Sequence, residues 1–173
     1  MIDHVKIVEA RPDNRPAIET LYPQAFPDED LLPLVGDLEQ TPAYSLVGLA
    51  GRELVAHAVF TPCKVEGSPG DVTLLGPVAV APRWQRQGVG SLMIRSGLQH
   101  LVQDCVQSAF VLGDPAYYKR FGFRQEDRVM PPYKLPDEWR SAWQSRQLSG
   151  DATPLRGKLL VPQAWRNPAL WSP

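Results

Sequence analysis

Leu74-Leu75-Gly76-Pro77-Val78-Ala79-Val80-Ala81-Pro82-Arg83-Trp84-Gln85-Arg86-Gln87-Gly88-Val89-Gly90-Ser91 is the stretch whose reading decides the fold. Val72 to Val80 is apolar nearly throughout, the pattern of a strand buried on both faces. Arg83 to Gln87 is a polar loop. From Gly88 to Val102 the stripe Val89, Leu92, Met93, Ser96, Gly97, His100 and Leu101 predicts a helix. The chain holds 18 prolines, yet none falls between Pro82 and Pro115. Proline lacks an amide hydrogen and is excluded from helix interiors and central strands. The gap is therefore where regular structure can run unbroken.

A strand that feeds a helix through glycines suits an anion. The first N–H groups of a helix have no intrahelical partner, and the helix dipole adds partial positive charge there. Glycine lets an anion approach the backbone closely. Arg86 and Gln85 add donors beside it. Two other readings bear on the same residues. Gly88 and Gly90 could serve only a tight strand-to-helix turn. A dinucleotide fingerprint would need a third glycine where Met93 stands, and it belongs to a first βαβ unit. No GxxxxGK[ST] occurs, which excludes a P-loop.

Outward from this stretch the pattern stays mixed. Val5–Ala10 reads as a first strand, and Asp13 or Asn14 suits a helix N-cap. Arg15 to Ala25 reads as a helix, and Asp28 to Gln40 as a second helical piece broken by Pro33 and Gly36. Tyr44–Ala50, the turn Gly51-Arg52 and Glu53–Val65 form a hairpin signature. Gln107–Leu112 is a further strand. Asp114 then caps a short helix with Pro115 in its first turn, and Gly122 stops it. In the last fifty residues, rich in proline and tryptophan, only Pro154–Val161 has a strand pattern.

The 173 residues fit one domain, 1–173. Net charge is -1, so bulk charge implies no nucleic-acid partner. No apolar run approaches the ~20 residues that span a bilayer. The first residues carry acids and no apolar h-region. The expectation is a cytoplasmic protein with no membrane partner. Cys63 and Cys105 lack a CxxC spacing; both are expected to be small buried hydrophobes, with no metal site and no disulfide framework.

Gln85-Arg86-Gln87-Gly88-Val89-Gly90 matches the Q/R-x-x-G-x-G/A signature of the GCN5-related N-acetyltransferases (GNAT). Val78-Ala79-Val80-Ala81-Pro82 resembles that family's V-x-V-x-P strand. Gly113-Asp114-Pro115-Ala116-Tyr117-Tyr118-Lys119-Arg120-Phe121-Gly122-Phe123 resembles its Y-x-x-x-G-F segment. The nearest likeness is to a branch of small bacterial N-acetyltransferases, and its specific part runs from Leu74 to Phe123. The resemblance implies an α/β fold with a mixed sheet of about seven strands and flanking helices. It implies acetyl-CoA as cosubstrate and no metal. The pyrophosphate would rest on Gln85, Arg86, Gln87, Gly88, Val89, Gly90 and Ser91. The pantetheine would run along Val78, Ala79 and Val80 as an added strand. Tyr117 would lie beside the cofactor. The partner would be a small-molecule or peptide amine, and homodimers are common among similar proteins.

Transfer from a thioester to an amine needs a neutral amine, an oxyanion donor and an acid for the leaving thiolate. By alignment with the motif, Tyr118 is the expected acid, with Tyr117 as the alternative. A backbone N–H near Val80 is the expected oxyanion donor. The base stays open. Asp28, Glu29 and Asp30 are candidates, although first-turn helix acids read the same way. His57 reads as a satisfied structural histidine, and Trp139, Trp143, Trp165 and Trp171 as core. Gly76-Pro77 reads as a kink. The competing function is a non-catalytic acyl-CoA-binding module of the same fold, which would keep Gly88 and Gly90 but need no acid.

Overall fold

The computed structural model describes residues 4–150 and 153–173. The chain is α/β, with a mostly antiparallel open sheet and flanking helices. Its nine strands among the described residues are β1 (Val5–Glu9), β2 (Tyr44–Ala50), β3 (Glu53–Val65), β4 (Val72–Val80), β5 (Ser108–Leu112), β6 (Arg124–Gln125), β7 (Val129–Met130), β8 (Trp143–Gln147) and β9 (Gly157–Leu160). The α-helices are α1 (Arg15–Ala25), α2 (Leu32–Leu38), α3 (Val89–Gln103) and α4 (Pro115–Tyr118). Because β6 and β7 are two-residue pieces, seven strands are longer than that, in line with the expected number.

The chain divides into two compact units. The first comprises residues up to Phe60 with Gly76–Gln99, the second Thr61–Leu75 with His100–Pro173. β3, β4 and α3 each start in one unit and end in the other.

In the first unit β1 pairs β2 from Val5↔Ala50 to Glu9↔Leu46, and β2 pairs β3 across the Gly51-Arg52 turn, all antiparallel. Gly51 has φ 63, the left-handed conformation that glycine takes at little cost. Alternation on β3 sorts its side chains to two faces. His57 meets Tyr22 of α1, while Phe60 packs against Gly97 of α3. A Cβ on Gly97 would overlap the Phe60 ring, so helix and sheet close only over glycine. Pro23 lies inside α1 and removes one of its helical donors, but Ile18, Leu21 and Tyr22 are still buried. The sequence-expected cap differs. Asn14 precedes α1, but its Oδ1 accepts from Arg11 N at 2.7 Å rather than from the helix.

In the second unit β4 and β5 pair in parallel from Val72↔Ser108 to Leu75↔Val111, and β5 pairs β8 antiparallel over its whole length. β8 also pairs β6, and β9 pairs the end of β3 and, in parallel, β7. The core here is aromatic. Trp143 stacks on Phe110 at 5.6 Å between centroids and meets Trp171 at 5.8 Å, which in turn meets Trp165 at 5.9 Å. Each buried indole N–H has an acceptor: Val129 O for Trp143, Thr61 Oγ1 for Trp165, Trp165 O for Trp171. The core reading therefore holds for these three tryptophans, while Trp139 is half-buried.

Three expectations are corrected. Cys63 is buried but Cys105 is exposed, at φ 59 just after α3, where a helix end and not the core sets its place. The second helical piece begins only at Leu32. Pro33 fits its first turn, so Asp28, Glu29 and Asp30 fall in the exposed turn before it and are not first-turn acids. The C-terminal strand is shorter than its sequence pattern, Gly157–Leu160, and β6, β7 and β8 form where no strand is expected. β8 is Trp143-Gln144-Ser145-Arg146-Gln147, mostly polar, and its partners lie far upstream, on β5 (Ser108–Leu112) and on β6 (Arg124–Gln125). Pairing, not composition, makes it a strand.

Candidate active site

In the first unit the candidate residues lie at the end of β4 and in the loop into α3. Gly76 has φ 142, which favours glycine, and the peptide to Pro77 is cis. Ala81 N donates to Val55 O at 2.8 Å, so alternate residues of this strand point toward β3. By that alternation Val78 and Val80 present their N–H and C=O groups on the opposite edge. The side chain of Gln85 confirms it for Val80, because its Nε2 donates to Val80 O at 2.9 Å. Gln85 was expected to add a donor for an anion. One of its amide hydrogens instead braces the loop against the strand.

A short 3-10 turn, Pro82–Trp84, follows, with Trp84 N donating to Ala81 O at 2.8 Å. Then Arg86 stands at φ 61 and Gly88 at φ 87. A non-glycine residue in the left-handed region is uncommon and costs on the order of 1 kcal/mol or more. Left-handed residues in such turns aim successive N–H groups into one concavity, the arrangement known as a nest. Gln87 Nε2 holds the turn by donating to Arg83 O at 2.7 Å. Arg83 itself pairs with Glu53, at the start of β3. The first helical bond of the next segment is Leu92 N to Gly88 O at 3.0 Å. Val89, Gly90 and Ser91 precede it, and their N–H groups are the unpaired first-turn donors. Val89 is buried and anchors the helix start, while Gly90 and Ser91 are half-buried and Arg86 is exposed. Residues Val78 to Ser91 thus run as one continuous segment, from the strand end through the turn with two left-handed residues into the start of α3.

Beneath the loop, Trp84 Nε1 and Gln87 Oε1 are buried with no partner among the described residues. Nothing in the spacing of the sequence signals those two atoms.

In the second unit the candidate residues lie on α4. Asp114 caps it as read, its Oδ1 accepting from Ala116 N at 2.9 Å, with Pro115 in the first turn. Gly122 ends the following turn at φ 85. Tyr117 and Tyr118 are both half-buried and meet edge-on at 5.1 Å. The Tyr118 ring also lies 5.8 Å from Phe123 and fills the space beside Gly113, where a Cβ would overlap it. Burial, with a smaller contribution from Tyr117, pushes the Tyr118 phenol up from its ordinary value. It stays a protonated donor at neutral pH. Tyr117 carries the Arg120 guanidinium over its ring at 4.7 Å.

His57 is the histidine of β3, and it is 3% exposed. Its Nδ1 lies 2.7 Å from Tyr22 Oη, and burial pulls its pKa down to about 4. It is neutral at pH 7. The sequence shows the histidine but not its partner, 35 residues away. Asp28, Glu29 and Asp30 are exposed, and Asp30 Oδ1 accepts weakly from Leu32 N at 3.4 Å. No group of three or more potential metal-ligating side chains occurs among the described residues. No helix among them is long and apolar enough to cross a membrane.

Residues 7–123 match the model of the family described as acetyltransferase (GNAT). The chain is 34% identical over 131 residues to the uncharacterized N-acetyltransferase YjhQ of Escherichia coli K12, covering 73% of this chain and 72% of that protein. It superimposes on a GNAT acetyltransferase of Brucella melitensis, solved with acetyl-CoA, with a TM-score of 0.76 and 26% identity over 94% of this chain and 98% of the other. It shares the fold of Escherichia coli YhbS, solved with CoA, with a TM-score of 0.86 and 24% identity over 95% and 93%.

Proposed function

The chain belongs to the acetyltransferase (GNAT) family, and from that premise we propose that residues 1–173 act as one N-acetyltransferase domain. It passes an acetyl group from acetyl-CoA to a primary amine by direct attack in a ternary complex. The observation that carries the reading is the turn Arg86–Gly88, whose two left-handed residues lead straight into the unpaired N–H groups of α3. That geometry suits a pyrophosphate, and the Brucella relative was solved with acetyl-CoA. The edge of Val78 and Val80 offers the pantetheine amides the pairing of an added strand. Tyr117 contributes an aromatic face to the cofactor.

The amine nitrogen attacks the thioester carbonyl carbon. The C–N bond forms to give a tetrahedral oxyanion, the amine gives one proton to solvent water, and the C–S bond then breaks so that the carbonyl re-forms and the sulfur leaves as thiolate. The N–H of Val80 is the proposed donor to the oxyanion. Tyr118 is the proposed acid, protonating the thiolate to the free thiol of CoA.

The test supplies acetyl-CoA with a panel of primary amines and follows free thiol and acetylated amine. Equimolar appearance of both is expected for at least one amine. CoA binding with no turnover on any amine would move the assignment to an acyl-CoA-binding module, and no CoA binding would overturn it. Tyr118→Phe is expected to lower kcat about 100-fold with CoA affinity unchanged. An unaltered kcat removes Tyr118 from the mechanism.

A further inference from the structure

Gln144 is a polar residue in a buried place that the acetyl-transfer reading does not use. It lies in β8 opposite Val111 of β5 and is 1% exposed. Its Nε2 donates to Gly113 O at 3.0 Å and to Ala142 O at 3.2 Å. Only the NH2 end of an amide can meet two carbonyls, so the side chain has one orientation. From these contacts we infer that Gln144 is a positioning residue for acetyl transfer, fixing Gly113 and through it the phenol of Tyr118. That role rests on the reading of Tyr118 as the acid.

Gly113 stands one residue beyond the end of β5. Its N–H donates to Ala142 O at 2.9 Å, and its carbonyl accepts from Gln144. Gly113 is therefore held by hydrogen bonds on both sides of its Cα. Two features join it to Tyr118. The Tyr118 ring fills the space beside the Gly113 Cα, where a Cβ would overlap it. Asp114, the next residue, opens α4, and its carbonyl accepts from Tyr118 N at 3.0 Å. A displaced Gly113 thus disturbs both the ring and the backbone of Tyr118.

The rest of the ring's surroundings is apolar or aromatic. Tyr117, Phe123 and Phe121 lie at 5.1, 5.8 and 6.2 Å between centroids. The Tyr118 hydroxyl has no hydrogen bond among the described residues. The aim of the phenol is therefore set by the walls around its ring and not by a partner at its tip. Of those walls, Gly113 is the one pinned by a buried amide. An acid must come within hydrogen-bond reach of its target, and a small misplacement lowers the rate steeply.

Gln144→Met keeps the length of the side chain and removes both donors. With an amine that the parent acetylates, it is expected to lower kcat about tenfold, with KM for acetyl-CoA within twofold. In the Tyr118→Phe background the same change should move kcat less than twofold, because the phenol it would misplace is gone. A glutamine that only stabilised the fold would cost the same factor in both backgrounds. Gln144→Asn keeps the amide but is one methylene shorter, and it serves if the methionine variant does not fold; the same pattern is expected. Nuclear Overhauser effects between the Tyr118 ring and the Gly113 Hα protons need no turnover. They are expected in the parent and weakened in either Gln144 variant. The role is overturned if the variant lowers kcat equally in both backgrounds, if it leaves kcat unaltered, or if those effects persist at parent strength. An unaltered kcat in Tyr118→Phe alone overturns the acid reading, and the role in transfer with it. The Overhauser effects then decide separately whether Gln144 places the ring.

Discussion

The loop from Gln85 to Ser91 and the stretch from Arg124 to Leu160 differ in what determines their conformation. In the loop, a glycine sits where φ is 87, a polar run precedes it and a proline closes the strand before it. Each choice is local, and each is visible in the sequence. Among the described residues Arg124 to Leu160 holds four strands, and each pairs far along the chain: β8 with β5 and β6, β9 with the end of β3 and with β7. Backbone requirements met within a few residues leave a spacing that can be read. Requirements met by pairing across the chain do not.

If that contrast is right, the C-terminal stretch should fail by losing packing. Trp143 is buried, stacks on Phe110 and donates to Val129 O. Trp143→Ala removes that stack and leaves a cavity, at a cost of about 3–5 kcal/mol. Denaturant unfolding measures it. CoA affinity per folded molecule should stay within about twofold. A large loss of affinity at unchanged stability would break the contrast.

The same division explains what was legible. β2, β3 and β4 follow the reading to the residue, because the Gly51 turn and the apolar runs mark their ends. The cap at Asp114 and the stop at Gly122 were likewise local chemistry. What the sequence hid was non-local. The polar segment of β8 has no alternating apolar pattern to betray it. The partner of His57 comes from α1, and the fate of Cys105 turned on where α3 ended. The acids Asp28 to Asp30 carried the right chemistry for a base or a first turn, but Pro33 moved the helix start past them.

His57 offers a second handle on the long-range side. Its folded pKa of about 4 lies below the ordinary 6.5 because burial disfavours the charged ring. Between those values the unfolded chain binds the proton and the folded chain does not. Stability is therefore unaffected above pH 6.5, falls as pH drops toward 4, and levels off below. The full loss is roughly 3 kcal/mol. His57→Gln should flatten that part of the pH profile by about the same amount. A variant whose unfolding curve parallels the parent from pH 7 to 4 would show that the histidine is not buried neutral.

On the local side, Gly88→Val places a β-branched residue at φ 87. The strain of 1–3 kcal/mol is relieved by letting the loop leave its conformation. CoA affinity should fall roughly 10- to 100-fold, as 1.4 kcal/mol is one decade. The melting temperature should move by only a few degrees. The reverse pattern, with stability lost and affinity kept, would mean that the glycine serves the turn and not the anion.

The smallest effect tests whether local capping and chemistry can be separated at α4. Asp114 is exposed, and its Oδ1 accepts from Ala116 N at 2.9 Å. Its contribution is therefore a cap of about 1 kcal/mol, and asparagine caps equally well. Asp114→Ala should lower stability by about that amount, whereas Asp114→Asn should restore it. Tyr118 follows in the same short helix, and its ring is fixed against Gly113 and Phe123 independently of the cap. For that reason kcat should fall less than tenfold in Asp114→Ala, far short of the loss expected for Tyr118→Phe. If asparagine preserves stability but not turnover, the carboxylate charge acts in the reaction, and the cap reading of Asp114 is incomplete.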